Sequence, residues 1–220
     1  MALALAVLAG LAGPAGAACP GCGTVAGTIT VEMAVIRADG PKHERDVVVM
    51  LDPVAPGAPS PEVVRATMDQ TGLVFVPHVL AVPRGAVVTF LNSDNEQHNV
   101  YFLDDRTGET LDIGTWGPGV SVDHTFDVPG LVITLCKLHL EMAAYVVVCP
   151  SQWYAQVAFE SADSPVRYRI GDVPPGQYEL SVWHKKLKQK GGSAQIEVKS
   201  GIETEVDVVI TKAKLAGASR

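Results

Sequence analysis

Beyond residue 18 no stretch of this chain sustains a helical period, and that limits what it can fold into. Short runs rich in Val, Ile, Thr, Phe and Tyr recur instead, cut by Gly, Pro and Asp. This pattern predicts strands at 27–36, 46–51, 73–76, 79–82, 86–92, 99–103, 120–126, 130–135 and 143–148, then at 166–170, 177–183, 193–199 and 203–211. Many short strands separated by turn signals make an all-β sandwich or barrel. The 220 residues suit one large β-domain or two small ones. Hydrophobic residues are 47% and charged residues 19%, so there is enough apolar surface for a packed core. Pro and Ala crowd 52–61, and the composition changes again at Cys149-Pro150. The stretch 61–148 therefore reads as one unit, with the flanking pieces free to form a second.

A formal net charge of −7 argues against nucleic acid, which calls for clustered Lys and Arg. The one basic run, His184 to Lys190, is short and followed by Gly, as a solvated loop would be. Residues 1–18 are almost all Ala, Leu, Val and Gly. The apolar run 2–11 is too short for a bilayer, which takes about 20 residues. Ala15-Gly16-Ala17 then reads as a cleavage site, so 1–18 is expected to be a signal peptide. It lacks the positive n-region, which suggests a start further upstream. A lipoprotein signal acylated at Cys19 is the alternative. Either way the mature protein is expected outside the cytoplasm, periplasmic or secreted, with no integral membrane span. There an early Cys19-Pro-Gly-Cys22 is read as a local disulfide, and Cys149, which ends an apolar strand, as a buried thiol.

The chemistry lies in Cys136-Lys-Leu-His139-Leu-Glu-Met142, which offers a thiolate, an imidazole and a thioether within one loop. Soft sulfur ligands select Cu(I), and imidazole suits both copper oxidation states. A blue-copper site needs two His and one Cys in a plane with a weak axial Met. His98 stands 38 positions before Cys136, after the polar stretch Asn92 to Gln97. Each residue alone has an ordinary reading: Cys136 a buried thiol, His98 a solvated side chain, Met142 core. Core packing gives no reason for all four in this order. Zinc favours closed Cys/His sets or an open water site, without an axial Met.

The segment from Phe75 to Phe102 resembles the first-ligand region of plastocyanin. Both have a Phe-x-Pro strand, a Pro-x-Gly turn, a Val-x-Phe-x-Asn strand and a His-Asn pair, here His98-Asn99. The Cys-x2-His-x2-Met loop resembles that of amicyanin. The middle block thus resembles the cupredoxin family, especially the methylamine-utilisation, plastocyanin-like bacterial proteins. The resemblance implies a Greek-key β-sandwich over 61–148 and one copper per chain, held by His98, Cys136, His139 and Met142. It also implies that Asn99 ties the two ligand loops together. Leu140 stands where a Pro often follows the second His. His43, His78, His124 and His184 are read as structural or surface residues.

The tail Asp172-Val-Pro-Pro-Gly-Gln-Tyr178, running on to His184, resembles the carboxypeptidase-regulatory-like sandwich, as do Gly27 to Val31 and Val47 to Leu51. A second, smaller sandwich made of 24–59 and 150–212 is the resulting expectation. Neither a catalytic triad nor a carboxylate pair stands out, so no enzyme is expected. The first reading is a one-electron carrier of the cell envelope that meets a redox partner protein. The second is a copper carrier or store that delivers the ion to another exported protein.

Overall fold

The computed structural model describes residues 19–31, 45–55, 63–160, 164–185 and 193–210. The signal-peptide expectation for 1–18, His43, most of the Pro-rich stretch and the basic run beyond Lys185 lie outside the described residues. In chain order the strands are β1 Gly23–Val31, β2 Asp46–Pro53, β3 Arg65–Gln70, β4 Phe75–Val76, β5 Val79–Pro83, β6 Ala86–Asn92, β7 His98–Asp104, β8 Thr110–Trp116 and β9 Ser121–Phe126. There follow β10 Gly130–Leu135, β11 Ala143–Cys149, β12 Tyr154–Ala158, β13 Val166–Val173, β14 Gly176–His184, β15 Ala194–Val198, β16 Glu203–Glu205 and β17 Val208–Ile210. The protein is all-β, with no helix among the described residues.

The strands form four sheets. The order β4-β3-β6-β9 makes one, and β5-β11-β10-β7-β8 the second. The third is β12-β2-β14-β15, and in the fourth β1 lies between β13 and the β16/β17 pair. Three apolar layers join them. Between the first two sheets pack Met68, Phe75, Val88 and Phe90 with Val100, Phe102, Ala144 and Val146. Between the last two pack Val25 and Ile29 with Val47, Val49, Leu51 and Leu180. A thinner layer of Val48, Val79, Ala81, Val147 and Cys149 joins the second sheet to the third, with Tyr145, Tyr154 and Trp183 against it.

This stacking explains two sequences that do not alternate. β11 sends Ala144, Val146 and Val148 to one layer and Val147 and Cys149 to the other. β2 does the same with Val47, Val49 and Leu51 against Val48. A strand covered on both faces reads as a continuous apolar run. Where β1 meets the last strands the backbones come close: a Cβ on Gly27 would overlap the Val206 carbonyl. Cys19 and Cys22 form the expected disulfide.

Three strands were not foreseen: β3, β8 and β12. β3 (Arg-Ala-Thr-Met-Asp-Gln) is polar because one face is exposed, and its order comes from a parallel pairing with β6. β8 is an edge strand, bulged opposite Val100/Tyr101 and largely exposed. The expected strand 203–211 is split, because the Val206 N–H turns to the Ala26 carbonyl and the Asp207 carboxylate accepts from Thr28 N.

Candidate metal centre

The start of β7 and the loop between β10 and β11 carry the donors. β10 and β11 form a hairpin whose last pair is Leu135 and Ala143. Cys136 and Met142 are the next residue on each side, so hairpin closure sets them at the two feet of one loop. His139 sits at the loop's turn, where its carbonyl accepts from Met142 N at 3.0 Å. β10 also pairs with β7, Leu135 against Tyr101. That pairing carries His98, the first residue of β7, to the same end of the sheet.

The result is a compact group. The ligand atoms of His98, Cys136 and His139 all lie within 4.8 Å of one another. The two Nδ1 atoms of His98 and His139 are 3.1 Å apart, and Cys136 Sγ is 3.8 Å from His139 Nδ1. Nitrogen and thiolate donors stand about 2.0 and 2.3 Å from a metal such as zinc, so donors sharing one ion lie roughly 3–4 Å apart. The spacing therefore fits a single small ion. His98 and Cys136 are buried at 0% and 1% exposure, and Met142 at 1%. The His139 side chain alone keeps an opening, 20% exposed, and Glu96 Oε2 lies 3.4 Å from its Nε2. Leu138 and Leu140 stand out on either side, 53% and 84% exposed.

Buried partners hold the donors in place. The Asn99 N–H points at Cys136 Sγ from 3.4 Å. Its side-chain Nδ2 donates to Asp112 Oδ1 (2.9 Å) and the Gly114 carbonyl (2.8 Å), while Oδ1 accepts from Lys137 N at 3.3 Å. Asn99 thus links the His98 strand to the cysteine loop, as the resemblance implied. Asp112 accepts from Lys137 Nζ at 2.5 Å, and the lysine first, then Asn99, holds its carboxyl down at about 2. Asn92, wholly buried, clamps the loop before His98 by donating to the Glu96 and Trp116 carbonyls.

Asp94 was not foreseen. Its Oδ2 lies 2.9 Å from His98 Nε2, and its two oxygens also accept from Gly72 N and Leu73 N. Hydrogen bonding from Leu73 N is the main influence that lowers its carboxyl below the usual range. The i, i+4 spacing to His98 signals a contact only in a helix, and no helix is here, so the sequence carried no usable sign of it. The other histidines among the described residues stay apart. His78 packs edge-on against Tyr145, His124 is half-buried among Phe102 and Phe126, and His184 is fully buried.

Residues 62–149 match the family described as copper binding proteins, plastocyanin/azurin family. No curated protein matches the chain. Among solved structures, a copper-containing nitrite reductase from Thermus scotoductus SA-01 shares 29% identity over 44% of this chain, with a TM-score of 0.37. The match spans only 25% of the reductase chain. A purple cupredoxin from Nitrosopumilus maritimus shares 22% over 38% of this chain and 98% of its own, with a TM-score of 0.34. An amicyanin variant shares 26% over 46% of this chain and 97% of its own, with a TM-score of 0.35.

Proposed function

We propose that this chain, whose residues 62–149 match the plastocyanin/azurin family of copper binding proteins, holds one copper in a type 1 site and carries single electrons. His98, Cys136 and His139 would supply the planar donors and Met142 the axial thioether. The observation that carries this reading is the convergence of three donor atoms within 4.8 Å, two of them on fully buried residues. When bound, copper supplies a one-electron Cu(II)/Cu(I) couple at a thiolate-ligated centre.

The chain's own residues do the rest. The hairpin feet and the Asn99 and Asn92 bonds fix the donors in advance, so little has to move when charge changes. Cys136 and Met142 are each 1% exposed and belong to the apolar core between the first two sheets, which keeps water from the sulfur donors. His139 is the donor that reaches the surface, and Leu138 and Leu140 give it an apolar rim for brief docking. Weak redox encounters use small interfaces of this kind. We place the protein in the cell envelope, with a redox protein as partner and no reaction of its own. The division into 61–148 and a discontinuous unit of 24–59 with 150–212 belongs to the same proposal, supported by the separate apolar layers.

The partly open edge of His139 also gives an acceptor access, which favours copper delivery as the second reading. One experiment separates the two. Cu(I)-loaded protein is mixed with excess Cu(I) chelator, and electron exchange with a redox protein is followed in parallel. A carrier keeps its ion through many exchanges. Prompt stoichiometric loss of Cu(I) to the chelator overturns electron carriage in favour of delivery.

A further inference from the structure

We infer that Asp94 is a positioning residue for the metal: it fixes which nitrogen of His98 faces the ion and biases the site toward the higher copper charge. The inference rests on the copper reading above. A carboxylate can only accept hydrogen bonds. The 2.9 Å contact between Asp94 Oδ2 and His98 Nε2 therefore puts the ring proton on Nε2. The Nδ1 lone pair is then left facing His139 Nδ1 and the thiolate loop. His98 is wholly buried, so no water competes for that proton.

Asp94 is itself held. Gly72 N at 2.6 Å and Leu73 N at 3.0 Å donate to its two oxygens, and its own N–H donates to Asn92 Oδ1 and the Gln70 carbonyl. The carboxylate is anchored by the β3–β4 turn, outside both ligand-bearing loops, and that turn sets the angle of the His98 ring. A carboxylate on the far nitrogen raises the donor strength of the imidazole. A stronger donor favours Cu(II) over Cu(I).

The test uses the full chain, with Asp94→Asn and Asp94→Glu. An Asn at 94 can keep one oxygen for Gly72, but then turns an N–H toward His98. In metal-free protein, long-range ¹⁵N NMR of the ring should give the Nε2–H tautomer in the wild type and a shift toward Nδ1–H in Asp94→Asn. With copper, the ratio of Cu(II) to Cu(I) affinity should fall about 10–100-fold in Asp94→Asn, the range for lost outer-shell partners. At 59 mV per tenfold, the potential rises by about 60–120 mV. Asp94→Glu should recover part of both. A structural role alone would lower the melting temperature while leaving tautomer and affinity ratio in place, and that result overturns the inference. A wild-type Nδ1–H tautomer overturns it even if neither variant folds. A wild-type protein that takes up no copper sinks the functional reading, while the tautomer measurement still decides the role of Asp94.

Discussion

Replacing Asn99 with Ala tests how far the donors are held in advance of any metal. Asn99 is 3% exposed and its side chain ties its own strand β7 to β8 and to the cysteine loop. Truncation leaves the Lys137 N–H and the Gly114 carbonyl without their partner and opens a small void. Two such bonds at about 1 kcal/mol each, plus the lost packing, come to roughly 2–3 kcal/mol. For a chain of this size a kcal/mol moves the melting point by about 2–4 °C, so a fall of about 4–12 °C is expected. Asn99→Asp should be worse at neutral pH, because a carboxylate would then face Asp112 Oδ1 across the present 2.9 Å bond. Melting of the metal-free protein, followed by near-ultraviolet circular dichroism, measures both. A loss under about 0.5 kcal/mol for Asn99→Ala would refute the idea that this side chain holds the two ligand segments together.

Three further outcomes follow from named contacts. Asp112 is held at about 2, below its unfolded value near 3.9. Its contribution is therefore complete above about pH 4 and is lost as pH falls toward 2. The side chain is 42% exposed, so screening keeps the effect modest. Urea midpoints of wild type and Asp112→Asn should separate above pH 4 and converge near pH 2; curves parallel throughout contradict the assignment. Met142→Leu should cost under about 1.5 kcal/mol, since the volume is nearly kept, and should retain copper at a raised potential. Complete loss of copper would make Met142 a primary anchor instead. Leu140→Glu should leave stability within about 0.5 kcal/mol, with copper content and spectrum unchanged but slower exchange with a redox protein. Unchanged exchange would remove the loop rim as the docking face.

The residues whose neighbours are close in sequence were the easiest to read. Cys136, His139 and Met142 share one hairpin loop, so their spacing alone suggested joint chemistry, and Cys19 with Cys22 needed only a tight turn. His98, one position ahead of the predicted strand 99–103, was found as the missing second imidazole and through the resemblance of the Phe75 to Phe102 segment to plastocyanin. What stayed hidden depends on partners far along the chain. β3 is ordered by pairing with β6, and its Arg, Thr and Asp residues give no apolar signal. β8 and β12 each pair with a single strand, at the edge of a sheet, where packing asks little of the sequence. Asp94 was hidden for the same reason: its role comes from the turn at Gly72 and Leu73, more than twenty residues away. β1 starts at Gly23, ahead of the predicted Gly27, because Val25 and Ala26 continue the pairing with β13, Thr24 to Ala26 pair with β16, and Gly23 rejoins β13 beyond a bulge.

The central claim is that Cys136 is a thiolate donor to one copper, and a visible spectrum tests it directly. Protein reconstituted with one equivalent of Cu(II) should show an intense thiolate-to-copper charge-transfer band. The band should vanish in Cys136→Ser and persist in Cys149→Ser, whose thiol is buried between the second and third sheets on the opposite face of β11 from the metal loop's core. A colourless Cu(II) form, or colour that survives the loss of Cys136, would contradict the account.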